Sequence, residues 1–160
     1  MTPSERERLN KELADILQEC SVHDWNGYGA EPIHPDSVTY MRQFLECIPE
    51  GFHIPQVAAE PHGGLGVYWH RKGFSISLGI DANKELSWGG VTPCGRVHGS
   101  TIFEGVIPEE VLKLLYEIEG KKMKIKNSKG FTWVIGLGGM ADAGEVTLSI
   151  SKPLNTLPRT

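Results

Sequence analysis

Six histidines, three cysteines and a lysine-rich run are the residues of this chain with the chemistry to hold a metal, attack a carbonyl or meet a phosphate. A zinc site wants close ligand pairs of the C-x2-C or H-x3-H kind. The nearest approach is Cys94-x3-His98, and no second pair of matching kind accompanies it; His23, His34, His53, His62 and His70 are scattered. The spacing predicts no metal centre, and surface and turn histidines account for the set. Nucleophilic catalysis lacks its usual frame. There is no G-x-S-x-G elbow, Gly99-Ser100 falls inside a strand pattern, and nothing supplies a third, orienting group to Cys94 and His98. Gly136, Gly138 and Gly139 follow a strand but lead to another strand, so a hairpin loop explains them better than a phosphate cradle. Glu109-Glu110, and Glu117 with Glu119, belong to the start and the exposed side of a helix, where acids suit the dipole and the solvent. No catalytic residue and no cofactor are predicted.

Two segments keep a binding role. Lys122, Lys124 and Lys126, within a run that also holds Lys121 and Lys129, would share one strand face and could meet an acidic partner or a nucleic-acid backbone. No aromatic residue is interleaved among them, as a single-strand platform would want. Lysines also guard sheet edges against pairing with other chains, and that is the stronger expectation. The second segment is Asp24-Trp25-Asn26-Gly27-Tyr28-Gly29-Ala30-Glu31-Pro32, with two aromatics, two glycines and flanking acids. Asp24, Trp25, Asn26, Tyr28 and Glu31 are candidate contacts, since aromatic residues dominate binding hot spots. The competing expectation, and the favoured one, is structural: Trp25 packs between two helices and the sheet while the glycines allow a tight turn.

These segments need elements to position them. Thr2, Pro3 and Glu5 form a capping-box pattern ahead of Leu9, Leu13, Ile16, Leu17 and Cys20 at helical spacing. A second helix runs from about Pro35 to Ile48, with Val38, Met41, Phe44, Leu45 and Ile48 as its apolar set. A proline-rich connector follows, holding at most a short extended piece at Gln56 to Ala59. The period then changes to two. Leu65, Val67 and Trp69 alternate with Gly66, Tyr68 and His70, and Phe74, Ile76, Leu78 and Ile80 with Ser75, Ser77 and Gly79. Leu86 to Val91 and Val97 to Phe103 continue the meander. Pro108 opens a third helix with Val111, Leu114, Leu115 and Ile118 in one stripe, closed by Gly120. Strands are predicted again around Met123 and Ile125, Phe131 to Leu137, and Val146 to Ile150, with a glycine-rich loop from Gly138 to Gly144. The pattern predicts an α+β fold in which an antiparallel β-sheet of about six to seven strands carries two N-terminal helices and one inserted helix on one face. Residues 1–152 are expected to form a single domain and 153–160 a loose tail.

At 160 residues, 39% hydrophobic and 22% charged, the chain is of ordinary one-domain size and composition. Its net charge of −4 gives no general attraction for nucleic acid or anionic lipid. No run approaches the length of a membrane span, and the charged stretch Met1 to Lys11 stands where a signal peptide would be apolar. Three widely spaced cysteines, Cys20, Cys47 and Cys94, suit a reducing compartment, so the expected location is cytoplasmic.

The stretch Trp25-Asn26-Gly27-Tyr28-Gly29-Ala30-Glu31-Pro32-Ile33 resembles the opening of a family of small uncharacterised bacterial and phage-associated proteins. That pattern runs tryptophan, aspartate or asparagine, glycine, a variable pair, alanine, any residue, proline and a branched apolar residue. A helix, a proline-rich link and a glycine pair leading into a strand with a late tryptophan follow; here these are Pro55, Gly63-Gly64 and Trp69. Phe103 to Leu115, with its Ile107-Pro108-Glu109-Glu110 helix opening, is similar to the end of the pattern. The resemblance covers about residues 20 to 119 and implies a mobile-element or defence-related setting without a mechanism.

With no catalytic constellation, the leading expectation is a module that docks on another protein, as an inhibitor, immunity or antitoxin-type factor. Trp25, Trp69, Trp88 and Trp133 offer anchors, most of them for the core. The alternative is a small-ligand-binding protein or hydrolase-like enzyme whose pocket on the open sheet face is lined by Tyr68, His70, His62, Ser75, Ser77, Trp88 and His98. Nucleic acid is the least favoured partner, no membrane contact is expected, and a homodimer that hides the second face of the sheet is held open.

Overall fold

The computed structural model describes the backbone of residues 1–126, 132–135 and 146–149, and the side chains of residues 1–124. The chain is α+β, and it divides into two compact units, residues 1–111 and 112–160. The glycine-rich loop from Gly138 to Gly144, Lys129 and the tail from 153 lie outside the described residues.

In the first unit, α1 (Pro3–Glu19) begins with the capping box that its sequence predicts. Thr2 Oγ1 accepts the Glu5 N–H at 3.2 Å while the Glu5 carboxylate accepts the Thr2 N–H at 2.7 Å. Helix α2 (Pro35–Glu46) starts on a histidine: His34 Nδ1 accepts the Asp36 N–H at 3.1 Å, which gives that histidine a capping role. Leu9 and Leu13 of α1, and Val38, Met41, Phe44 and Leu45 of α2, are buried.

Five strands follow in a meander: β1 (Gln56–Ala59), β2 (Leu65–Arg71), β3 (Phe74–Ile80), β4 (Glu85–Thr92) and β5 (Gly95–Ile102). Every neighbouring pair is antiparallel and the sheet order is β1-β2-β3-β4-β5. Lys72 and Gly73, at φ 45° and 85°, close the β2–β3 hairpin as a two-residue turn with both φ values positive. The alternation in sequence becomes two faces. Leu65, Val67, Trp69, Ile76, Leu78, Ile80 and Leu86 are buried on one of them. Helix α2 packs on β2 and β3, and α1 packs on α2 and β1. Phe44 of α2 meets Phe103 edge-on at a centroid distance of 6.1 Å, joining the helix layer to the end of β5.

Helix α3 (Glu109–Ile118) spans the division between the units, and its Val111, Leu114, Leu115 and Ile118 are buried as the stripe predicts. The second unit carries β6 (Met123–Lys126), β7 (Thr132–Ile135) and β8 (Val146–Ser149) in the order β7-β6-β8. These strands form their own sheet and do not extend the first one. β6 pairs antiparallel with β7 but parallel with β8, where the sequence reading expects antiparallel pairing throughout. The parallel pair is reachable because β7 and the residues around it supply the long connection that a parallel return needs.

Candidate functional site

The side of the five-stranded sheet opposite α2 is polar and open. Tyr68 and His70 of β2 stand in register with Ser77 and Ser75 of β3, and Ser77 and Ser75 with Gly89 and Val91 of β4. Together with Gln56 they line an open depression of about 550 Å³. His70, Ser75 and Val91 are exposed, and Ser77 Oγ donates to the Gly89 carbonyl at 3.3 Å, which fixes the floor between β3 and β4. His98 of β5 pairs with Gly89 and stands on the same face. Trp88 does not. It is in register with Leu78, so it stands on the face that holds Leu78 and Leu86, with its indole across the backbone of Gly99. Strand alternation separates it from Tyr68 and His70.

Beside the depression, the five residues between β1 and β2 place a carboxylate on the sheet. Glu60 and Gly64 close this loop through Glu60 N–H to Gly64 C=O at 3.0 Å, and Gly63 N–H donates to Glu60 C=O at 3.1 Å. The Glu60 side chain folds back over Gly66 and Gly79, a pair in direct register, and is 20% exposed. A Cβ on Gly66 would lie 2.5 Å from Glu60 Oε1 and 2.9 Å from the Tyr68 hydroxyl oxygen, so bare glycine is what lets the carboxylate lie flat. Tyr68 donates its hydroxyl to Glu60, and His62 Nε2 is 3.2 Å from Glu60 Oε2. Burial first, then the charge of Glu60 and this hydrogen bond, push the Tyr68 phenol above the usual tyrosine range. Tyr68 is therefore a neutral donor at physiological pH. Glu60, His62 and Tyr68 form a carboxylate–imidazole–phenol group on a glycine floor, able to accept a cation or hold a proton next to the depression. Sequence reading missed Glu60, which has no motif of its own. Its signal was the set of bare positions Gly64, Gly66 and Gly79 near a carboxylate that directly follows β1.

The loop from Asp24 to Glu31 is tied to the same corner. Glu31 N–H donates to Pro61 C=O at 2.7 Å, and Glu31 forms an isolated parallel bridge with His62. The buried Ser37 hydroxyl donates to Gly63 C=O at 3.2 Å, and His34 N–H donates to the same carbonyl at 3.0 Å. The loop also bonds to itself. Asp24, at φ 63°, accepts the Gly29 N–H on Oδ1 at 2.6 Å, and Asn26 Oδ1 accepts the N–H groups of Tyr28 and Ala30 at 2.9 and 3.2 Å. Asp24 and Asn26 thus hold the turn itself. Trp25 is half-buried and spends its indole N–H on the Glu31 carbonyl, 2.8 Å away within its own loop. Tyr28 is 92% exposed and no core residue.

The lysines are arranged differently from expectation. Lys122 is exposed and precedes β6, Lys124 is half-buried on it, and the side chain of Lys126 lies outside the described residues. β6 is the central strand of its sheet, so its lysines do not guard an edge. Among the described residues, no group of three or more His, Cys, Asp or Glu side chains converges as a metal site would require. No helix among them is long and apolar enough to cross a membrane. Comparison of the chain with protein-family models, with curated proteins and with solved structures finds no match in any of the three.

Proposed function

We propose that this protein is a small acidic docking module that binds another protein in the cytoplasm without catalysis, in the manner of an inhibitor, immunity or antitoxin-type factor of a mobile or defence-related element. The observation that carries this reading is the open sheet face: Tyr68, His70, Ser75 and Val91 stand exposed on a rigid antiparallel floor, around a depression that is open and not enclosed. Small-molecule sites bury most of their ligand in a concave pocket, whereas a broad rigid face suits a macromolecule. Tyr28 adds a fully exposed aromatic on a loop that its own hydrogen bonds hold in shape. Cys20, Cys47 and Cys94 are unpaired, which supports a reducing compartment.

The test is affinity capture of the tagged protein from its host at high salt, run with wild type, Ser75→Arg, Val91→Glu and the remote control Arg8→Ala. The reading expects one protein in near-stoichiometric yield with wild type and Arg8→Ala, and at least about a tenfold loss with either face variant. Absence of a partner, or a partner that both face variants retain, overturns it. A second reading, a small-ligand site, is favoured by one observation, the Glu60–His62–Tyr68 group next to the depression. A thermal-shift screen with small cationic and polar metabolites separates the two, because a shift lost in Glu60→Gln belongs to the ligand reading.

A further inference from the structure

Strand β5 ends the five-stranded sheet on one side, and its hydrogen-bonding parity can be worked out. Phe103 N–H donates to Lys84 C=O at 2.8 Å, just beyond the register pair Glu85–Ile102. Hydrogen-bonded and non-bonded pairs alternate along an antiparallel ladder. Thr101, Gly99, Val97 and Gly95 therefore bond to β4, while Ile102, Ser100, His98 and Arg96 turn their N–H and C=O groups outward. No main-chain hydrogen bond from another described segment reaches these four. Six of the eight β5 residues are exposed and the other two are half-buried.

Sheets blunt such an edge with proline, inward charge, lysine, a bulge or a short strand. β5 has none of these: its register with β4 runs unbroken from Gly95 to Ile102, it contains neither proline nor lysine, and Arg96 is its one charged residue.

We infer that β5 is a dimerisation edge, pairing antiparallel with β5 of a second copy of this chain about a two-fold axis at Gly99. The strand is complementary to itself in that register. Arg96 faces Ile102 of the second copy and His98 faces its Ser100, so the arginines do not meet and every outward group finds a partner. Four facing pairs exchange about eight hydrogen bonds. The axis passes where the strand is thinnest. Gly99 carries no side chain, and the Trp88 indole already lies across its backbone toward the edge, in space that a Cβ would occupy. Trp88 and Val97 are each half-buried in the single chain. Pairing at Gly99 brings the two indoles beside the axis and covers apolar surface that the monomer leaves wet. The result is a continuous ten-stranded sheet that leaves the Tyr68 face of each copy free, so this inference stands apart from the docking function.

Sedimentation velocity of the full-length protein over a concentration series tests it. Wild type is expected to sediment as a concentration-dependent dimer. Ser100→Pro removes an outward N–H and no bond to β4, which is where an edge strand tolerates proline. It should weaken dimerisation at least about tenfold through the loss of two bonds per dimer. His98→Lys with Ser100→Lys sets ammonium groups against one another across the axis and should leave a monomer with an unchanged circular dichroism spectrum and the melting temperature of the diluted, dissociated wild type. If Ser100→Pro unfolds, the lysine pair decides. A wild type that remains monomeric throughout, including one that associates only with a foreign strand, overturns the inference, as does a dimer indifferent to the lysine pair.

Discussion

The glycine floor under Glu60 can be tested by comparing two alanines placed opposite one another. Gly66 and Gly79 are a register pair, neither needs positive φ, and both lie beneath the same carboxylate. Replacing strand-interior glycine by alanine ordinarily stabilises by about 0.5–1 kcal/mol, because the unfolded chain has less freedom to lose. At Gly79 the new methyl would lie 3.1 and 3.2 Å from the Glu60 oxygens, a crowding that a shift of a few tenths of an ångström relieves. Gly79→Ala should then be neutral or stabilising by about 0.5 kcal/mol. At Gly66 the methyl would lie 2.5 Å from Oε1 and 2.9 Å from the Tyr68 oxygen, so the carboxylate has to leave its seat. Leaving breaks a hydrogen bond to a charged acceptor, a class worth about 1.5–3 kcal/mol, with the lower end fitting a part-exposed site. Set against the glycine gain, Gly66→Ala should cost about 1 kcal/mol, or about 3 °C in melting temperature. Thermal and urea unfolding of both alanines, each also made in a Glu60→Ala background, gives the coupling directly. With Glu60 removed, the Gly66→Ala penalty should shrink to what the remaining contact with the Tyr68 hydroxyl imposes. Tyrosinate absorbance offers an independent readout. Because the folded Tyr68 pKa is raised, the stability it contributes is full below the ordinary tyrosine range and is lost as pH rises through the folded value. Glu60→Ala and Gly66→Ala should both lower that titration and narrow the alkaline loss. A Gly66→Ala penalty that is undiminished without Glu60 would refute the account of the floor.

Three further outcomes follow from the described geometry. Thr2→Ala removes the α1 capping box and should lower stability by about 1 kcal/mol, read by chemical denaturation, with Glu5→Gln costing less because its amide can still accept the Thr2 N–H. Lys72→Asn turns the β2–β3 connection into Asn-Gly, the pair that positive φ at both positions favours, and should raise stability by about 0.5–1 kcal/mol; an unchanged melting temperature would mean that the φ of 45° at Lys72 carries no strain. Burial pushes the Cys20 and Cys47 thiols up, and Cys47 also donates Sγ–H to the Gly105 carbonyl at 3.3 Å. A disulfide reagent at mildly alkaline pH should label Cys94 first, because it is exposed, and reach the other two only as pH rises further or the chain unfolds.

Sequence alone determined the features that depend on near neighbours. The Thr2–Glu5 capping box rests on residues a few positions apart, and the short extended piece at Gln56 to Ala59 is a strand where the pattern puts it. The two faces of β2 and β3 were equally legible, because strict alternation of apolar and polar residues admits one register against a core. Trp88, two positions from Leu86, stands on the apolar face, whereas the sequence reading grouped it with Tyr68 and His70 on the open one. Tertiary structure decided which strands share a sheet, since β6, β7 and β8 have partners that no local signal names. It also decided the candidate site. Glu60 meets Gly66, Gly79 and Tyr68 only after β1, β2 and β3 are in register, and a glycine written in sequence cannot say which side chain will lie over it. Trp25 shows the same dependence: the partner of its indole N–H, the Glu31 carbonyl, is set by how the loop closes and not by any motif.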